Sequence, residues 1–130
     1  MTVPFWCLVV AWFLVYAPRG VVIQALVKRP EGLDNVDPRT QQSKLEGLGA
    51  RANAAHMNAF EGFAPFVAAV LVAHLGHGDP VWAARLAIAY CVLRAVYTGL
   101  YLGGFGSVRT AVWSLGIFCT AGLFVLPALA

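Results

Sequence analysis

Charge is scarce in this chain. Of 130 residues only 12% are Asp, Glu, Lys or Arg, against 60% hydrophobic, where a soluble domain carries about a quarter charged residues. That shortage excludes a water-solvated surface and, with a mean hydropathy of +0.73, predicts an integral membrane protein. Length is limiting too: at about 20 residues per span plus connections, there is room for a few helices and no separate soluble domain. A large net charge is missing. The +3 balance comes from scattered basic residues, which argues against nucleic-acid binding. Cysteine is sparse: Cys7, Cys91 and Cys119 lie in apolar runs without C-x-x-C spacing. They read as buried membrane thiols, and neither a disulfide framework nor a zinc site is predicted. The opening MTVPFWCLVV has no basic residue, so it lacks the n-region of a cleaved signal peptide and reads as a retained first span.

What is present is a run of four apolar segments. The pattern predicts an all-α, four-transmembrane-helix bundle as one domain, with spans at 3–27, 51–75, 81–101 and 107–129 and a polar loop at 28–49. Pro18 should kink the first span by removing a hydrogen bond. Arg19 beside it either snorkels to an interface or faces a polar interior. Lys28 and Arg29 close the span. The loop PEGLDNVDPRTQQSKLEGLG is rich in turn-forming residues and reads as a connection. The second span ends in His74, His77 and Asp79, a set that invites a metal reading. Gly76 and Gly78 make this a turn instead, and no second cluster completes a ligand set, so no metal site is predicted. Ser107 is expected to cap the last span, where Gly116, Ala121 and Gly122 allow close packing. Lys28, Arg29, Arg39 and Lys44 load the first connection and Arg109 the third. Positive-inside counting then places both in the cytoplasm and both termini on the non-cytoplasmic side.

The chain is organised around Arg51–Phe66, RANAAHMNAFEGFAPF. Helical steps put Arg51, Ala54, Asn58, Glu61 and Pro65 on one stripe. Ionisable side chains at membrane depth cost several kcal/mol unless they are paired or line a cavity, which makes Glu61 a site candidate. The competing reading is that Asn58 and Glu61 only join this helix to a neighbour. On the third span Arg94, Tyr97 and Tyr101 repeat on one face. An aromatic belt explains the tyrosines but leaves Arg94 unexplained. With Lys28, Arg29, Arg51 and Arg109 these groups gather toward one half of the membrane. Arginine forks suit carboxylates, Glu61 suits an ammonium group, and a donor on a thiolate favours its charged form.

These residues resemble the MAPEG family, membrane-associated proteins in eicosanoid and glutathione metabolism. The likeness rests on R-x-x-x-A-H-x-N-x-x-E ending at Glu61, on R-x-x-Y-x-x-x-Y-L at Arg94–Leu102, and on an arginine opening the last helix at Arg109. The DN-x-x-PR and E-x-F-x-P-F segments are similar to the bacterial branch. The resemblance implies a homotrimer in the bacterial inner membrane, with glutathione as co-substrate between protomers. It implies that Arg51, Asn58, Glu61, Arg94, Tyr97 and Tyr101 bind glutathione, joined by Lys28 or Arg29 at the end of the first helix. Arg109 would be the catalytic residue that stabilises the glutathione thiolate. The implied activity is that of a transferase, or a peroxidase or isomerase relative, acting on a hydrophobic electrophile. A non-catalytic membrane protein binding an anionic small molecule or lipid headgroup is the competing expectation. A proton-carrying transporter subunit is disfavoured by the lack of an internal repeat.

Overall fold

In the computed structural model, which describes residues 1–129, four long helices run up and down as a bundle. They are α1 (Val3–Val27), α3 (Gly47–Leu75), α4 (Pro80–Gly103) and α5 (Gly106–Val125). A short helix α2 (Pro38–Ser43) lies in the polar connection, and a 3-10 turn (Leu126–Leu129) follows α5. Four helical segments are long and apolar enough to cross a membrane. The central pair is α3 and α4: each packs on the other and on both α1 and α5.

The buried stripes explain that arrangement. On α1, Cys7, Ala11, Val15, Pro18, Val22 and Leu26 recur at three- and four-residue steps, the period that lines one helix face. On α3 the buried stripe is mostly small, with Gly49, Ala52, Ala55, Ala59, Ala69 and Ala73. Small residues let helix backbones approach closely in a membrane, where van der Waals packing replaces the hydrophobic drive. At mid-bundle the fully buried Phe66 ring stacks on Tyr90, centroids 3.8 Å apart and planes 12° apart. Large apolar side chains such as Phe13, Val92 and Phe118 point outward, as a lipid-facing surface requires.

Helix ends fall where local chemistry puts them. Asp79 Oδ1 accepts from the amides of Val81 and Trp82 at 2.9 and 2.8 Å, satisfying two orphan donors at the start of α4. The helix ends at Gly104, whose φ of 82° suits glycine. The start of α5 differs from expectation. Ser107 lies inside the first turn, and the residue at the cap is Phe105, with no side-chain cap. At 29 residues α3 is about 43 Å long, against a hydrocarbon core of about 30 Å. Its first turns, including Arg51, therefore reach headgroup level.

The polar connection is more than a tether. Gln41 and Gln42 of α2 are both buried. Gln41 accepts from the Asp34 amide and donates to the Gly32 carbonyl. With its amide oxygen turned toward α1, Gln42 accepts from Arg19 Nη1 and Nη2 at 3.2 and 3.0 Å. Arg19 thus meets a partner from the loop, an arrangement its surroundings in sequence do not reveal. α1 stays helical through Pro18. In the turn before that proline, the Val15 carbonyl accepts from His56 Nδ1 at 2.8 Å. A carbonyl only accepts, so that ring nitrogen carries the proton.

Candidate functional site

The up-and-down path brings the polar connection and the α4–α5 turn to one end of the bundle. There Arg51 Nε donates to the Leu102 carbonyl at 2.9 Å. Below it, Arg94 of α4 is buried against α3: Nη1 donates to Asn58 Oδ1 at 3.1 Å and Nη2 to the Asn58 carbonyl at 2.8 Å. The guanidinium lies 5.1 Å from the Tyr97 ring centroid and 5.8 Å from that of Tyr90. Gly62 makes this possible, because a Cβ there would stand 2.5 Å from Arg94 Nη2. Tyr90 Oη donates to the Gly62 carbonyl at 2.9 Å.

One helical repeat up α4, Tyr97 and Tyr101 meet edge to face at 5.6 Å. Arg109 of α5 lies over the Tyr101 ring, 4.0 Å from its centroid, a cation–π contact that leaves the rim of the guanidinium open. Asn58, Tyr97, Arg109, Thr110 and Trp113 line a polar notch of about 170 Å³. Trp113 also lines an apolar groove of about 210 Å³ among α3, α4 and α5, together with Pro65, Tyr90, Arg94 and Ile117. A charged notch that shares Trp113 with an apolar groove suits a ligand with a polar head and a greasy partner.

Of the residues the sequence put forward, Asn58, Arg94, Tyr97, Tyr101 and Arg109 come together here. Arg51 stands above them with its Nε engaged. Glu61 is exposed and has no hydrogen-bond or ion-pair partner among the described residues. The two basic residues closing α1 separate. Arg29 donates to the Lys44 carbonyl at 2.8 Å and pairs with Glu31 at 3.2 Å, whereas Lys28 is exposed. Both sit away from the notch, within the polar connection. Tyr90, Gly62 and Gly116 were not anticipated. A signal existed for the first, since Tyr90, Arg94 and Tyr97 share one face at i, i+4 and i+7.

No curated protein and no solved structure was found to match this chain. The profile described as the MAPEG family matches residues 3–129. Together with four membrane-length helices arranged as a bundle, this match shows that the chain belongs to the MAPEG family of integral membrane proteins linked to glutathione and eicosanoid metabolism.

Proposed function

We propose that this protein is a glutathione-dependent transferase that holds the glutathione thiolate at Arg109 for attack on a hydrophobic electrophile. The observation that carries the reading is the placement of the Arg109 guanidinium, stacked over Tyr101 beside Tyr97 and Asn58, in a notch that shares Trp113 with an apolar groove. The thiol comes from the ligand, so the protein needs no nucleophile of its own. Its work is positioning and charge stabilisation.

In this reading Tyr97 and Asn58 line the glutathione site, Arg51 and Glu61 take its charged ends, and Arg94 fixes Asn58. The notch of one chain, at about 170 Å³, is smaller than the roughly 300 Å³ at which ligand pockets usually begin. A neighbouring copy would complete it, which fits a homotrimer with sites between protomers. Lys28 is then the better of the two basic residues to reach a neighbour's ligand, because Arg29 is already tied to Lys44 and Glu31.

Calorimetry on detergent-purified protein, with ultraviolet difference absorbance for the thiolate, tests the proposal. Saturable glutathione binding with a thiolate signal that Arg109→Ala removes is the expected result. Absence of binding at millimolar glutathione, from folded protein, would sink it.

A further inference from the structure

The polar connection contains a second cavity, separate from the notch. A hollow of about 380 Å³ opens between residues 29–34 and 40–44, above the roughly 300 Å³ at which ligand pockets usually begin. Its lining sets two cations, Arg29 and Lys44, against two anions, Glu31 and Asp34. The frame is braced from within the chain. The buried Gln41 accepts from the Asp34 amide and donates to the Gly32 carbonyl, and Arg29 ties the start of the connection to the Lys44 carbonyl. Some polar groups in the hollow are nevertheless open. Asp34 uses Oδ1 for the amides of Val36 and Asp37, which leaves Oδ2 free. The Lys44 ammonium and the Thr40 hydroxyl meet no protein partner among the described residues.

The surroundings indicate what fills it. The connection leaves α1 and returns to α3 just beyond the apolar spans, which is headgroup depth. It also carries apolar side chains that nothing in the protein covers: Val36 is 97% exposed, and Leu33, which lines the hollow, is half-exposed. At headgroup depth such side chains enter the acyl boundary, where they gain what they would lose in water. We propose that this hollow binds the headgroup of a phospholipid bearing a phosphate and a primary ammonium, as in phosphatidylethanolamine. The phosphate lies on Lys44 and Thr40, the ammonium donates to Asp34 Oδ2 and Glu31, and the chains leave past Leu33. Charge selects this head over others. Matched anions and cations disfavour a purely anionic head such as phosphatidylglycerol. A quaternary ammonium has no N–H to donate and is recognised by aromatic cages, whereas no aromatic ring lines the hollow.

The test is native mass spectrometry of the full chain in detergent, with phosphatidylethanolamine, phosphatidylcholine and phosphatidylglycerol of identical acyl chains added in turn. Phosphatidylethanolamine should be retained about tenfold more tightly than either of the others, the worth of one charge-assisted hydrogen bond. Asp34→Asn keeps an Oδ1 that can accept the two amides, so the turn stands while the charge is lost. Combined with Glu31→Gln it leaves two cations in the hollow, and preference should pass to phosphatidylglycerol. A reversed preference is a result that unfolding cannot produce. Lys44→Met should weaken phosphatidylethanolamine and phosphatidylglycerol alike. Equal retention of the three lipids by the unsubstituted protein would overturn the proposal, as would an unchanged order in the double variant. Displacement by soluble glycerophosphoethanolamine at concentrations equal to the lipid would assign the hollow to a free small molecule and overturn it as well.

Discussion

At the residue scale, single polar contacts decide how tightly α3 and α4 are joined. Tyr90→Phe deletes the bond to the Gly62 carbonyl while keeping the ring stacked on Phe66, and should cost about 1 kcal/mol, read as a lower midpoint in detergent unfolding. Asp34 gives a pH effect with a definite sign. Its carboxylate accepts from the amides of Asp37 and Val36, bonds that hold its pKa below the ordinary value of 3.8, with Lys44 adding a smaller pull in the same direction. A depressed pKa means the contribution is complete above the unfolded value and is lost as pH falls through the folded one. Acidification below that range should therefore loosen the polar connection first. Hydrogen exchange at the Val36 and Asp37 amides checks it, and Asp34→Ala should show the loosened exchange already at neutral pH. Some of these residues were legible beforehand: Asn58, Arg94, Tyr97 and Tyr101 follow from helical spacing, and Arg109 from its place at the opening of the last span. That Arg94 binds both the side chain and the carbonyl of Asn58 was not, because spacing fixes a face and not the rotamers that meet across it.

At the element scale, the two long helices of the central pair end alike. After α4, the Phe105 amide bonds the Leu100 carbonyl and the Gly104 amide bonds that of Tyr101, the six-to-one and five-to-two pattern of a Schellman motif. After α3 the same pattern runs from Gly78 to Ala73 and from His77 to His74. Here the left-handed position is occupied by His77, with φ of 57°, although glycines stand on both sides. Those glycines answer a different need: a Cβ at Gly76 would meet Pro127 at 2.7 Å, and one at Gly78 would meet Leu126 at 2.9 Å. His77→Gly should accordingly stabilise the protein by about 1 kcal/mol, seen as a raised unfolding midpoint. Asp79→Ala, which removes the α4 cap, should cost about the same amount. The turn at residues 76–80 was readable from its glycines and proline, but which position took positive φ depended on the 3-10 turn packed against it.

At the scale of the whole molecule, the bundle sorts its connections by end. The polar connection and the α4–α5 turn share one end, where Arg51 bonds the Leu102 carbonyl. The α3–α4 turn meets the chain's last turn and its first residues at the other, through Gly76 with Pro127 and through a crevice that joins Thr2 to His77. Single cysteines placed at Thr40 and Gly104 in a background without native thiols should thus be labelled from the same side of sealed vesicles, and one at Asp79 from the opposite side. Labelling of Thr40 and Gly104 from different sides would break the bundle topology. The membrane character, the four helices and the grouping of polar residues on helix faces were determined by the sequence alone, because a scarcity of charge and the spacing of residues along a helix are local properties of the chain. Tertiary structure decided what the polar residues do. It joined Arg19 to Gln42, tied Arg29 into the loop, turned Arg94 onto Asn58 and set Trp113 in the wall of both notch and groove. Those pairings link residues far apart in the chain, and only the packing of α3 and α4 against their neighbours fixes which side chains come within hydrogen-bonding reach.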